Sequence, residues 1–131
     1  MKKLLFIILT SFCLVSNMAY ADNKQIDKAY HIKQSDIQVQ GVGKVIKVLK
    51  DDTKGSQHQR FLLKLPSNLT ILIAHNIDLA SRVEDLKAGD TIEFYGEYEW
   101  NNKGGVIHWT HHDPRKKHKD GWLKHNGVIY Q

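Results

Sequence analysis

The alternation of hydrophobic and polar positions divides the chain into three stretches. Leu4 to Val15 is an apolar run interrupted only by Thr10 and Ser11. Residues 22–38 are polar, with Ile26, Ala29, Tyr30 and Ile32 at roughly helical spacing, and they read as a weakly ordered tail with room for a short helix. From Val39 onward the pattern is that of strands. Val39 to Leu49 is rich in β-branched residues, and Gly41 and Gly43 let such a long strand bend sharply. Gln59 to Leu65 alternates, with Phe61, Leu63 and Leu65 on one face and Arg60 and Lys64 on the other. Leu69 to Ala74 is apolar nearly throughout. Thr91 to Trp100 alternates most cleanly: Ile92, Phe94, Tyr98 and Trp100 share one face, Glu93, Tyr95, Glu97 and Glu99 the other. Val106 to His112 supplies a fifth strand. Asn126-Gly127, between Trp122–His125 and Val128–Gln131, carries the signature of a tight hairpin.

The segments between these strands are turn chemistry at Asp51–Ser56, Pro66–Asn68 and Asn101–Gly105. Ile77 to Leu86 suits a short helix, or a loop, capped by Asp78. Five strands, a bend-prone first one and a helix between strands 3 and 4 match the element order of an oligonucleotide/oligosaccharide-binding (OB) barrel. The expected fold is therefore mainly β: a small five-stranded OB-like barrel with one short helix between strands 3 and 4 and a C-terminal β-hairpin. An unrelated small antiparallel sandwich or barrel is the alternative.

The start of the chain changes the picture of where this domain works. Lys2 and Lys3 precede the apolar run and Ala19-Tyr20-Ala21 follows it, the pattern of a signal peptide cleaved near Ala21. The run is too short for a span of about 20 residues, so no membrane span is expected after cleavage. Thr10-Ser11-Phe12 before Cys13 lacks the small residues of a lipidation signal. A periplasmic or secreted protein follows, with residues 1–21 removed, 22–38 a tail and 39–131 a single OB-like domain. Cys13 is the one cysteine, so the mature domain has no disulfide to help it fold. Loss of Lys2 and Lys3 leaves 17 basic against 14 acidic residues, a net +3 that is too weak to imply nucleic acid by itself.

Several strings are specific enough to suggest kinship: Gly55-Ser56-Gln57-His58-Gln59-Arg60-Phe61, Ala74-His75-Asn76-Ile77-Asp78-Leu79-Ala80, Gly96-Glu97-Tyr98-Glu99-Trp100-Asn101 and Gly105-Val106-Ile107-His108-Trp109-Thr110-His111-His112-Asp113-Pro114. With Gly121-Trp122-Leu123-Lys124-His125-Asn126-Gly127, they resemble a family of short exported bacterial proteins classed as a domain of unknown function. The likeness runs from about Gly41 to Gln131. It implies a compact envelope protein and brings no activity with it.

The chemistry must then come from the residues. Eight histidines all follow Ala21. His108, His111, His112 and Asp113, followed by His118, are the ligand types that zinc or copper accepts where no thiolate is present, and His75 is a further candidate from the third strand. In a strand His108 and His112 share a face and His111 points away, so spacing alone brings at most two of them together. Arg60, Lys64, Trp109 and the basic residues Arg115, Lys116 and Lys117 are candidates for a small ligand or a polyanion, nucleic acid included. Glu93, Glu97 and Glu99 flank Tyr95 on its face and weaken the nucleic-acid reading. The expected function is an exported binding module with a His-based divalent metal site. A metal-dependent hydrolase of phosphodiesters using the same histidines is the alternative, although no Ser-His-Asp, H-E-x-x-H or paired-carboxylate motif is present.

Overall fold

Period-2 alternation in five segments produces a sheet that closes on itself. The computed structural model describes residues 14–131, with side-chain surroundings from Asn23 onward. Most of the expected signal peptide, Cys13 included, lies outside the described residues. The elements are α1 (Leu14–His31), β1 (Ile37–Val48), β2 (His58–Lys64), β3 (Thr70–Asn76), β4 (Thr91–Glu99), β5 (Val106–His108), β6 (Trp122–His125) and β7 (Val128–Tyr130). Strands run in the order β1-β2-β3-β5-β4, and β1 also pairs with β4 to close a five-stranded barrel. Among the described residues, only the β3–β5 pairing is parallel. β6 extends the sheet from β4, and β7 pairs with β6 across Asn126-Gly127, both of which have positive φ.

The long first strand makes closure possible. Its first half pairs with β4 from Ile37↔Tyr98 to Lys44↔Thr91, and its second half pairs with β2. A bulge between Val45 and Lys47 turns the strand from one partner to the other. The inward residues of this barrel are the apolar set of the alternation. Val39, Val45, Phe61, Leu63, Ile71, Ile73, Ile92, Phe94, Tyr98 and Ile107 are buried. Burial of each such side chain contributes about 1.5–3 kcal/mol relative to exposure. A mainly β, closed five-stranded barrel is thus what the alternation foretold.

Three features depart from the sequence reading. The stretch expected to be a weakly ordered tail holds the C-terminal turns of α1, packed on β1. Ile26 and Ala29 are buried there, and the Asn23 side chain donates to the Val42 carbonyl and accepts from the Val42 N–H, each at 3.1 Å. Gly41 permits this docking, because a Cβ there would stand 2.4 Å from Asn23 Oδ1 and 2.6 Å from Phe94. Secondly, no helix lies between β3 and β4. Residues 77–90 run as turns, because barrel side chains take the backbone groups a helix would keep: His75 Nε2 bonds the Ser81 carbonyl, and the Gln59 amide bonds both N–H and carbonyl of the buried Val83. Thirdly, β5 stops at His108. Trp109 has φ 58°, which turns the chain out of the sheet before His111 and His112.

Candidate metal centre on the outer wall of the barrel

The outer face of β4 and β5 is fixed by their inner one. Tyr98 and Ile107 are paired and buried, so their neighbours Glu97, Glu99, Val106 and His108 point outward. Glu97 stands directly opposite His108, and Glu99 opposite Val106. Gly96 lets the strands approach here, since a Cβ on it would lie 2.5 Å from the His108 carbonyl. On the other side of β4 the register sets Gln38 of β1 opposite Glu97.

This geometry gathers three donors. One ligand atom each from Glu97, Glu99 and His108 lies within 4.8 Å of the others. His108 Nε2 is 3.1 Å from Glu97 Oε2 and 3.3 Å from Glu99 Oε1. Neither approach has hydrogen-bond geometry, so this enclosed nitrogen faces two carboxylate oxygens without a hydrogen-bond partner. The Gln38 amide nitrogen is enclosed and unpaired as well. Among the described residues these two side-chain atoms alone share that condition, and both belong to residues opposite Glu97.

Ligand spacing gives a quantitative comparison. A tetrahedral ion with bonds of about 2.0–2.1 Å sets its ligand atoms about 3.3 Å apart. The His108 contacts at 3.1 and 3.3 Å match that edge length.

His118 approaches from the far side of Glu97. Its Nε2 is 3.4 Å from Glu97 Oε2, outside the three-donor group, and its ring stacks on Trp109 with centroids 4.0 Å apart and planes 6° from parallel. Its Nδ1 must carry the proton it donates to the Lys119 carbonyl at 2.8 Å, which fixes the tautomer and leaves Nε2 toward the carboxylate. Loop 109–121 that carries it is organised by Asp113. That carboxylate accepts from the N–H groups of His118, Lys117 and Arg115, and these bonds hold it below the usual carboxylate range.

Of the residues singled out for metal in the sequence, only His108 and His118 reach this centre. His75 is buried, with Nδ1 2.7 Å from Thr110 Oγ1 and Nε2 3.0 Å from the Ser81 carbonyl. Its pKa is lowered from 6.5 to about 4, chiefly by burial and also by the His111 and His58 charges, against the opposing bond to the Ser81 carbonyl. His111 is buried beside Trp109 and bonds the His112 carbonyl. His112 turns to Asp120, whose carboxyl is lowered by the Asp113 N–H and by His112. Asp113 caps its loop, as described.

The ligand candidates also separate. Arg60 lines the cleft beside His108, whereas Lys64 lies toward the other end of β2 in an apolar groove with Val42 and Pro66. Trp109 supports His118. Arg115, Lys116 and Lys117 are exposed on the loop. Sequence reasoning missed Glu97 and Glu99, which it took for a solvated acidic face. The signal was present in the hairpin: a β4–β5 loop over residues 100–105 pairs Glu97 with His108 and Glu99 with Val106.

The structure thus defines a small closed β-barrel with an acid–histidine cluster suited to a divalent cation on its outer wall. No helix among the described residues is long and apolar enough to cross a membrane. Residues 7–131 match the family described as "Protein of unknown function (DUF3465)", and the chain belongs to that family, in keeping with the resemblance in its strings. No curated protein matches the chain.

Proposed function

We propose that this protein is an exported OB-like barrel that binds a divalent cation, zinc or copper by its donor types, through Glu97, Glu99 and His108. The OB-like reading is supported by the strand order, by the β1–β4 pairing that closes the barrel and by the parallel β3–β5 pairing within it. The cation reading is carried by one observation: an imidazole nitrogen at 3.1 and 3.3 Å from two carboxylate oxygens without hydrogen-bond geometry to either. Three protein ligands leave a coordination position open, the arrangement of zinc sites that act on a bound molecule. His118 lies beside Glu97 outside the group, its Nε2 3.4 Å from Glu97 Oε2. Export is supported by the leader pattern, and the helix residues that anchor α1 to the barrel, Asn23, Ile26 and Ala29, all follow Ala21.

The test is direct. Untagged protein purified from a periplasmic extract is expected to begin at Asp22 by mass spectrometry and to take up one equivalent of zinc or copper by elemental analysis. Glu97→Gln keeps the shape and removes the charge shared by both histidine contacts, so it should lower affinity at least tenfold with unchanged circular dichroism. Equal uptake by the variant would place the cation elsewhere.

A further inference from the structure

The cluster is one wall of a cleft, and the opposite wall carries a cation of its own. The cleft, of about 270 Å³, is lined by Asp52, His58, Arg60, Leu72, Glu99 and His108, with Ala74 and Val106 completing it. It is smaller than the roughly 300–1,000 Å³ of pockets for drug-sized ligands, which restricts it to a small group or one end of a larger molecule.

Its shape follows from the sheet registers. Arg60 pairs with Ala74, and the parallel register that pairs Ile73 with Ile107 sets Ala74 level with His108. His108 in turn pairs with Glu97. One outward row therefore crosses β2, β3, β5 and β4 as Arg60, Ala74, His108 and Glu97. The small Ala74 leaves a gap between Arg60 and His108, two strand spacings or about 10 Å wide at the backbone.

Arg60 is held facing this gap with its charge uncommitted. Its Nε donates to the Lys50 carbonyl at 3.1 Å, and it forms no ion pair among the described residues. His58 is held similarly: its Nδ1 donates to the Ser56 carbonyl at 2.9 Å, which leaves Nε2 as its other polar atom. The Asp52 carboxylate, the cleft's one acid outside the metal cluster, accepts from the Lys54 N–H through Oδ1. With a cation bound, the Glu99 charge is neutralised, and the cleft presents an open metal position on one side and a guanidinium on the other.

We propose that this cleft binds a phosphate group, as inorganic phosphate or the terminal phosphate of an ester, bridging the cation and Arg60. The inference rests on the cation reading above. A tetrahedral oxyanion suits both partners: one oxygen completes the metal shell, and the others meet the donor fork of arginine, which matches phosphate geometry. Arg60 is thus the residue that turns a cation site into an oxyanion site.

Equilibrium dialysis with labelled inorganic phosphate tests this on the full untagged protein in three forms: zinc-loaded, chelator-stripped, and zinc-loaded Arg60→Gln, with bound zinc assayed in each. Zinc-loaded protein is expected to retain phosphate, and stripping the metal to weaken retention at least tenfold. Arg60→Gln should weaken it by a similar factor while keeping its zinc. Competition with phenyl phosphate separates the sources: displacement assigns the site to phosphate esters, and no displacement assigns it to the free ion. Loaded protein that retains no phosphate, or an Arg60→Gln form that retains it as well as wild type, overturns the phosphate site and leaves the cation site standing. Failure of the wild type to take up either zinc or copper overturns both.

Discussion

His75 should make the barrel acid-labile in a window set by one buried ring. Its two nitrogens are matched to the neutral form, Nε2–H donating to the Ser81 carbonyl and Nδ1 accepting from Thr110, and no part of the residue is exposed. Burial, with smaller contributions from the His111 and His58 charges and against the raising effect of the Ser81 bond, depresses the pKa from 6.5 to about 4. The unfolded chain therefore takes up a proton that the folded one refuses, so stability is full above the unfolded pKa and falls as pH drops toward the folded one. At about 1.4 kcal/mol per pKa unit, the loss is about 2 kcal/mol between about pH 7.5 and about pH 5, and about 3 kcal/mol by about pH 4. Asp90, Asp113 and Asp120, whose carboxyls are lowered, contribute stability that is lost only as pH falls through and below 3.8, beneath most of this window. The assay is urea unfolding followed by tryptophan fluorescence across a pH series, with chelator present so that metal release does not enter. His75→Gln is expected to be less stable at neutral pH, because it disturbs two buried hydrogen bonds, and to lose most of the pH slope above about pH 5. A wild type whose stability is flat across this range, or a variant with the wild-type slope, would refute the assignment.

Two further outcomes follow from the fold, beside the Glu97→Gln and Arg60→Gln tests above. Asn23→Ala removes both bonds to Val42 and should destabilise the protein by about 1–3 kcal/mol in urea unfolding, whereas a loose N-terminal segment would give no change. Gly96→Ala should destabilise by about 1–3 kcal/mol, since its Cβ meets the His108 carbonyl, and by displacing β5 should weaken zinc binding measured by competition with a chromophoric chelator. Unchanged zinc affinity in a folded Gly96→Ala protein would show that the cluster does not depend on the β4–β5 approach.

The barrel was legible because alternation is a direct record of which side of a sheet a residue occupies. Phe61, Leu63, Ile92, Phe94 and Tyr98 were placed inward by period alone, and they are buried. What alternation does not encode is competition for backbone groups. Ile77 to Leu86 has a helix-like composition, yet His75 takes the Ser81 carbonyl and Gln59, 24 residues before Val83, takes the N–H and carbonyl of Val83. The end of β5 was hidden for a related reason: the positive φ of Trp109 is imposed by its surroundings, with no glycine or asparagine to announce it. The buried face of α1 was visible only as a few spaced apolar residues in a polar stretch, and its anchor, Asn23, is a polar residue matched to one peptide of β1.

The candidate centre illustrates the same division. Its histidines stand out in any reading of the chain, whereas its carboxylates look like an ordinary wet strand face until strand pairing sets them beside His108. Pairing also makes that face unusual. Glu97 and Glu99 bring like charges close together on one side of β4, where nearby charges of one sign oppose each other. Gln38, the residue opposite Glu97 on β1, supplies no charge to offset them and has its own amide nitrogen unpaired. A divalent ion between them would meet both carboxylates and the His108 nitrogen at once. The same ion would neutralise the wall of the cleft facing Arg60. The proposed cation and phosphate sites would thus share His108, which the sheet registers set level with Ala74 and Arg60.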